Sequence, residues 1–416
     1  MDDTRAIART ARVWGASDDS REARLRRRFP TIEDLRRRAK RRVPKFAFDF
    51  VDGGEGSEAG VARNAAALQA IELVPRYSVD VDRIAMDVEL FGRRYAAPIG
   101  IAPMGMGGLA WPGAEHYYAP AAQRARIPFV LASVGSASIE TVARLAPDVF
   151  WFQIYRFPRH DHHVTFDLMA RAEAAGAHVL MPTVDTPVRP KRLRDLRNRL
   201  AVPFRPSLRT IFEVATSPAW VASLLKHGTP RFENFMPYAG ANPGTADLAG
   251  FAQREVRGSH TWDELKRMRD RWPRAFVVKG IMHPADAERA VVLGADGILV
   301  SNHGGRQLDG APATIDVLPA IVRAVGGKAT VLLDSGVRTG LDVVRALALG
   351  AKAALAGRPF IYSLAALGPD GPRHVIDMLI DETRTALGQL GVCALGDCAA
   401  IVTRHRGAIE FPAAGR

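Results

Sequence analysis

The chain has 416 residues, 47% of them hydrophobic and 24% charged, with 57 Lys and Arg set against 44 Asp and Glu. With 37 Gly and 27 Pro, this composition excludes a disordered or collagen-like chain and allows a large buried core. No apolar run approaches the ~18–20 residues that span a bilayer, no secretory signal opens the chain, and only two cysteines occur, Cys393 and Cys398. A disulfide framework and a multi-cysteine metal cluster are thereby excluded, and a reduced, cytoplasmic protein is expected.

Residues 1–45 hold 13 Arg and 2 Lys against 7 acids, so this segment alone carries +8 of the formal +13. Stretches such as RLRRRF and DLRRRAKRRVPK suit nucleic acid or an anionic membrane surface. The plainer reading is a solvated helix face, because Glu33 and Asp34 precede the arginine run at helical spacing. This segment reads as a basic N-terminal arm, followed by a main domain over 46–390 and a C-terminal tail over 391–416.

From residue 97, short apolar or β-branched runs alternate with helical patterns. The strands are predicted at 97–102, 127–133, 149–155, 177–185, 275–281, 296–302, 329–336 and 351–357. Their near-continuous apolar character is that of strands buried on both faces. Between them, Ala114, Tyr117, Tyr118, Ala121, Ala122 and Ala125 mark one face of a helix. Thr261 with Glu264 reads as a capping box, and Pro284 suits a first helical turn. Eight strand–helix units close most naturally as a (β/α)₈ TIM barrel in the α/β class. The rival, an open doubly wound sheet, would carry a dinucleotide fingerprint, and the glycines at 105–108 have the wrong spacing for one.

Strand starts are 21–33 residues apart except between the fourth and fifth, where the gap leaves an insertion of about 75 residues, roughly 186–261. So long an excursion is rarely idle. Trp220, Val221, Leu224 and Leu225 would share a helical face there, either as a lid packed on the barrel rim or as a membrane anchor.

Reactive residues of such barrels sit at the C-terminal strand ends. Those ends supply Gln153, Tyr155, Thr183, Asp185, Lys279, Ser301, His303, Asp334 and Arg358. In SNHGGRQLDG (301–310), His303 leaves the sixth strand with Arg306 three residues on. A guanidinium fixing a carboxylate beside an imidazole base suits proton removal from an anionic substrate. Asp185 could hold the imidazolium, as a triad carboxylate does. DSGVRTG and AGRP, with Arg338 and Arg358, offer glycine-flanked amides where barrels bind phosphate. A phosphorylated cofactor is expected rather than a metal, since the His160–His163 run has no third strand-end ligand.

These motifs resemble the FMN-dependent 2-hydroxy acid oxidising family: glycolate oxidase, lactate oxidase and monooxygenase, and the lactate and mandelate dehydrogenases. The likeness runs from about residue 43 to about 390, through WFQIY, TVDTP, VVKG, SNHGGRQLD, LDSGVR and AGRP in order. The resemblance implies that His303 is the base, with Asp185 as its partner, and that Arg306 and Arg192 bind the substrate carboxylate. It implies that Tyr155 hydrogen-bonds the substrate. For FMN it implies Ala102, Pro103, Met104 and Gly105 near the flavin N5, and Ser133, Gln153, Thr183 and Ser301 on the ring and ribityl chain. Lys279 would sit near N1, while Asp334, Ser335, Gly336, Arg338, Gly357 and Arg358 would hold ribityl and phosphate.

Two positions depart from the family pattern. Phe50 stands where a tyrosine usually donates to the substrate carboxylate, and Ala132 replaces a flavin-contacting serine, with Ser133 following. Losing a hydrogen bond to a charged group costs about 1.5–3 kcal/mol, so larger, less polar 2-hydroxy acids are expected to be favoured. Gly105 resembles the quinone-linked dehydrogenases, where oxidases tend to carry Ala, and only the basic arm precedes the barrel, so no haem domain is expected. The expected acceptor is a quinone or other carrier, with dioxygen as the alternative. A peripheral contact on the inner membrane face would involve the insertion and the arm, homo-oligomerisation is left open, and no nucleic-acid partner is expected. Rival readings are an FMN barrel without net oxidation and a non-catalytic binding protein.

Overall fold

In the computed structural model, residues 20–200 and 207–412 are described. Eight parallel strands close into a barrel: β1 (Ile99–Ile101), β2 (Phe129–Ala132), β3 (Phe150–Ile154), β4 (Val179–Pro182), β5 (Ala275–Ile281), β6 (Gly297–Val300), β7 (Thr330–Leu333) and β8 (Ala353–Ala356). Neighbours follow chain order, and β8 returns to β1. Each matches one predicted run. Nearly every strand residue is buried, because helices cover the outer face and side chains fill the interior. Gly100 in β1 has no alternative, since a Cβ there would stand 2.4 Å from Leu355 Cδ2.

The N-terminal mouth is closed by a hairpin, Val88–Leu90 with Arg93–Tyr95. Phe91 at its turn packs against Trp151 and approaches Gly297 at the start of β6, while Trp151 Nε1 donates to Tyr95 Oη at 2.8 Å. Only the C-terminal mouth is left for chemistry. The helix predicted around 114–125 is Glu115–Ala125, Thr261 and Glu264 form the capping box of Trp262–Arg271, and Pro284 opens Pro284–Leu293.

Residues 1–19 of the segment read as a basic N-terminal arm lie outside the described residues, and the rest packs on the body: the Phe29 ring is buried and its carbonyl accepts from His374 Nε2 at 2.9 Å. Helix Ile32–Arg42 buries Ile32, Leu35 and Ala39, and packs on helix Arg358–Leu367. Arg38 Nε and Arg42 Nη1 both donate to the Ala366 carbonyl, at 2.8 and 2.5 Å. The same run is therefore solvated on one face and docked on the other, which its apolar residues at i, i+3 and i+7 permit. The following helix, Lys45–Asp52, carries Asp52 to a buried clamp, where its carboxylate accepts from Arg36 (2.5 and 3.0 Å), Arg194 (2.7 Å) and Tyr362 (2.7 Å). Burial opposes the charge, but these partners hold the carboxyl well below its ordinary range. The tail predicted over 391–416 returns to the body over its described residues 391–412, with Thr403–Arg404 pairing with Glu72–Leu73 and the Ile409 N–H donating to the Asp316 carbonyl.

The insertion after β4 builds helices Leu193–Arg197, Leu208–Ala215, Pro218–His227 and Thr245–Glu255, with a 3₁₀ turn at Glu233–Tyr238. The shared apolar face predicted at Trp220, Val221, Leu224 and Leu225 divides. Trp220 is buried, edge-on to Phe46 and donating to the Leu109 carbonyl, Val221 and Leu224 are half-buried, and only Leu225 is exposed. Trp220 is thus a rim-packing residue. The apolar surface left to solvent lies one helix earlier, at Leu208, Ile211 and Phe212.

Candidate active site

At the open mouth, parallel pairing sets the depth of each reactive side chain. The Val184 N–H donates to the Lys279 carbonyl at 2.9 Å, which carries β4 one step past its last paired residue and sets Asp185 beside Lys279. Gly280, with φ +100°, follows Lys279, and a Cβ on it would stand 2.7 Å from the Asp185 side chain. Only glycine fits that backbone and that approach. Ser259 Oγ, from the returning end of the insertion, donates to the Val184 carbonyl at 2.6 Å and pins the same segment.

His303 leaves β6 with φ +58°, a costly region for a residue with a Cβ. Its N–H donates to Ser301 Oγ at 3.1 Å, and the next N–H, of Gly304, donates to Ser335 Oγ at 2.9 Å. Just before it, Asn302 exchanges two 2.8 Å amide hydrogen bonds with Asn64 of helix Ala59–Gln69. Held this way, the imidazole places Nδ1 3.0 Å from Asp185 Oδ1 and Nε2 3.3 Å from Tyr155 Oη. With Asp185 ionised, Nδ1 carries the hydrogen and Nε2 is left as the acceptor facing the cleft.

Burial lowers the His303 pKa, and Asp185 opposes that shift while Lys279 and Arg192 reinforce it, so the ring stays neutral below the ordinary histidine range. Burial would raise Asp185, but Lys279 and His303 hold it down to about 2. Lys279 is fully enclosed, donating to Ser301 Oγ at 2.9 Å with Asp185 at 3.5 Å and Asp334 at 3.9 Å. Desolvation disfavours its charge, yet the two carboxylates raise it. The result is a neutral base oriented by a carboxylate, above a permanent buried cation.

Arg306 and Arg192 face the same space. Arg306 Nη1 donates to the Phe50 and Gly53 carbonyls at 2.7 and 2.8 Å, with its guanidinium 5.3 Å from the Phe50 ring centre. Arg192 Nε is buried with no partner. Burial lowers both guanidinium pKa values, and Arg192 and Arg358 depress Arg306 further, while Asp195 acts the other way on both arginines. Two buried guanidinium groups facing one cleft, with no carboxylate hydrogen-bonded to either among the described residues, constitute an anion site.

One cleft runs from Phe50 over Ala102, Pro103, Met104 and Gly105 to Lys279, Asp334–Val337, Arg338, Gly357 and Arg358. Ser335 and Gly336, with φ +75° and +94°, turn the β7 exit, and Gly357 caps helix Arg358–Leu367, its carbonyl accepting from the Phe360 and Ile361 N–H groups at 3.0 and 3.3 Å. Ser335 Oγ donates to Asp334 Oδ1 at 2.7 Å. Arg358 is engaged on the protein itself, with Nε, Nη1 and Nη2 donating to the Val51, Gly304 and Gly53 carbonyls at 3.0, 2.7 and 2.8 Å; burial pushes its pKa down to about 10. Arg338 stands freer, with Nη1 donating only to the adjacent Val337 carbonyl.

Behind the cleft, Gln153 Nε2 donates to Thr183 Oγ1 at 2.7 Å while its Oε1 is buried and unpartnered. A buried acceptor without a donor calls for a ligand N–H. That orphan, the enclosed Lys279 and the β7–β8 end lined by Ser335, Gly336, Arg338 and Gly357 fit a flat polar ring system with a phosphate tail, as FMN has. Ser133 Oγ is buried and accepts from the Tyr155 N–H at 3.2 Å. His162 pairs with Glu264 at 3.0 Å, and among the described residues no three candidate ligands gather for a metal. Sequence reasoning missed Gly280, Asn64, Asn302 and the Asp52 clamp, although Gly280 and Asn302 lie inside motifs it had marked.

A family model described as FMN-dependent dehydrogenase matches residues 39–404. An L-lactate dehydrogenase of Caulobacter vibrioides is 41% identical over 360 residues, 86% of this chain and 93% of that protein. An L-lactate dehydrogenase of Ectopseudomonas mendocina is 40% identical over 365 residues, 88% and 96% of the two chains. Among solved structures, the monotopic membrane protein (S)-mandelate dehydrogenase superposes with a TM-score of 0.85 at 35% identity, covering 90% of this chain and 99% of its own. A mandelate oxidase with (S)-4-hydroxymandelic acid gives 0.78 at 36% identity, covering 92% and 100%.

Proposed function

Because the chain belongs to the FMN-dependent dehydrogenase family, we propose that it oxidises an L-2-hydroxy acid to the 2-oxo acid and passes the electrons to a quinone or another carrier. The observation that carries this reading is His303, oriented by Asp185 at 3.0 Å and sharing its cleft with the buried guanidinium groups of Arg306 and Arg192. FMN, when bound, supplies the two-electron acceptor. Its ring would rest on the Ala102–Gly105 backbone, with Gln153, Thr183, Ser301 and Lys279 at its polar edge. Asp334, Ser335, Gly336, Arg338, Gly357 and Arg358 would take the ribityl chain and phosphate.

Arg306 and Arg192 grip the substrate carboxylate and Tyr155 Oη orients its oxygen. His303 Nε2 takes a proton from the α-carbon or the hydroxyl, while Asp185 stabilises the imidazolium. Lys279 places positive charge where electron density arrives.

Phe50 shapes substrate choice. Its ring lies against Arg306 and borders a second cleft with Val134, Tyr155, Phe232 and Val256. This apolar wall favours aromatic or long aliphatic 2-hydroxy acids. Phe50→Tyr is expected to raise kcat/KM for glycolate by roughly 10- to 100-fold, the value of one hydrogen bond to a charged group. A substrate panel on the parent chain in which glycolate is clearly best would overturn this.

Gly105 supports the choice of acceptor, since the family's quinone-linked dehydrogenases resemble this chain in carrying Gly there where oxidases tend to carry Ala; a Cβ on it would stand 2.7 Å from Val134 Cγ2. Turnover with a quinone analogue should exceed turnover with dioxygen at saturating substrate. Hydrogen peroxide formed stoichiometrically at the full turnover rate would identify an oxidase instead. No helix among the described residues is long and apolar enough to cross a membrane. Leu208, Ile211 and Phe212, 87%, 56% and 67% exposed on one short helix, support a peripheral contact with the membrane that holds such a quinone.

A further inference from the structure

Away from the active site, a second cleft opens between helix Ile32–Arg42 and the junction of helices Leu208–Ala215 and Pro218–His227. Arg28, Arg37, Arg38, Arg41 and Arg42 line one wall, and Thr216, Pro218 and Ala219 the other. Asp34 is the one carboxylate in the lining, and it is already engaged by Arg37 and by Thr31 Oγ1 at 2.6 Å. Three of the arginines are held without neutralisation. Arg28 and Arg38 lie 5.5 and 5.1 Å from the Phe29 ring centre, Arg42 lies 5.1 Å from that of Trp111, and Arg38 and Arg42 share the Ala366 carbonyl. Ring faces and a carbonyl fix the direction of a guanidinium but leave its charge. Burial lowers Arg38 and Arg42, and like-charge repulsion adds to it, from Arg28 on Arg38 and from Arg38 on Arg42. A bound anion would relieve that repulsion.

We propose that this arginine cleft binds the phosphate of an anionic phospholipid headgroup, anchoring the protein at a membrane. The proposal rests on the peripheral-contact reading above and extends it to a specific site. A soluble phosphate would satisfy the guanidinium groups equally well, so the surroundings decide. Thr216 Oγ1 donates to the Phe212 carbonyl, which places the cleft wall one helical turn, about 6 Å, beyond the exposed Phe212 and Ile211. Beyond the cleft, Leu225 is also exposed. A ligand that is anionic at one end and apolar at the other matches both features at once, and a phospholipid is such a ligand.

The test uses the full-length flavoprotein with vesicles of phosphatidylcholine alone or of phosphatidylcholine with phosphatidylglycerol. Arg28→Gln with Arg41→Gln removes two cleft charges while leaving the contacts to Ala366 intact. Solution turnover and the visible flavin spectrum of this variant should match the parent and report on folding. Each basic residue at an anionic surface contributes about fivefold in affinity, so the pair should weaken binding to the mixed vesicles about 25-fold and leave binding to phosphatidylcholine unchanged. Ile211→Ser with Phe212→Ser should weaken binding to both vesicles.

If the arginine variant binds mixed vesicles as well as the parent, and the apolar variant does not, the cleft proposal falls and the peripheral reading stands. If the parent binds neither vesicle, both fall. Protection of Arg41 from chemical modification by inorganic phosphate, without arginine-dependent vesicle binding, would assign the cleft to a soluble anion. Arginine-dependent retention of RNA in place of vesicles would overturn the lipid assignment as well.

Discussion

His303→Asn is expected to retain bound FMN and to lose anaerobic bleaching of the flavin by a 2-hydroxy acid by 10²- to 10⁴-fold, the usual contribution of a positioned base. Asparagine is the informative replacement because position 303 has φ +58°, which Asn tolerates better than Ala. His303→Ala would combine the chemical loss with backbone strain at the point where Gly304 meets Ser335. Stopped-flow reduction by the best acid of the substrate panel measures the effect. A reduction rate within tenfold of the parent would remove His303 from the role of base.

The second large effect is expected at Asp185. Asp185→Asn keeps the shape but removes the charge that stabilises the imidazolium and helps hold Lys279 protonated, so kcat should fall by at least 10²-fold. The pH profile separates this from a packing defect. The parent needs His303 neutral, and its pKa is already lowered, so kcat/KM should rise with pH and level off below the ordinary histidine range. Asp185 is the interaction that raises the His303 pKa. Its removal should move the acid limb to still lower pH even as the plateau drops. A plateau that drops with an unmoved limb would mean that Asp185 positions the site without acting through the imidazole.

The barrel was legible because its strands are buried on both faces and read as unbroken apolar runs, and all eight occur where those runs lie. The meeting of His303, Asp185, Tyr155 and Lys279 was legible because strand ends converge in any such barrel. Side-chain commitments were not. The AGRP motif marks Arg358 as a phosphate ligand but gives no sign that three of its five N–H groups also hold carbonyls of residues 51, 53 and 304, contacts more than 50 positions away in sequence. Helix Ile32–Arg42 was obscured by its own charge, since eight of its eleven residues are charged and only Ile32, Leu35 and Ala39 face inward. Trp220 could be read equally as a rim residue or an anchor, because periodicity gives a face and not its direction.

The clamp on Asp52 has a consequence for how this protein can be cut and recombined. Its carboxylate is held at once by Arg36 from the N-terminal segment, Arg194 from the insertion and Tyr362 from the last barrel helix, and the next residue, Gly53, lends its carbonyl to both Arg306 and Arg358. Trimming the chain to the barrel alone would strip Arg36 from a buried anion. Grafting a shorter loop in place of 186–261 would remove Arg194, and with it Asn198, which donates to Asp49 on the same helix. A workable chimera would therefore exchange only the exposed helix Leu208–Ala215, leaving the residues up to 198 and the buried contacts of Trp220, Asn234 and Ser259 in place, and would otherwise keep everything from Phe29 onward. Evolution faces the same constraint: the excursion can be rewritten at its exposed helix Leu208–Ala215, while its root is bound to the helix that carries Asp52 and Phe50.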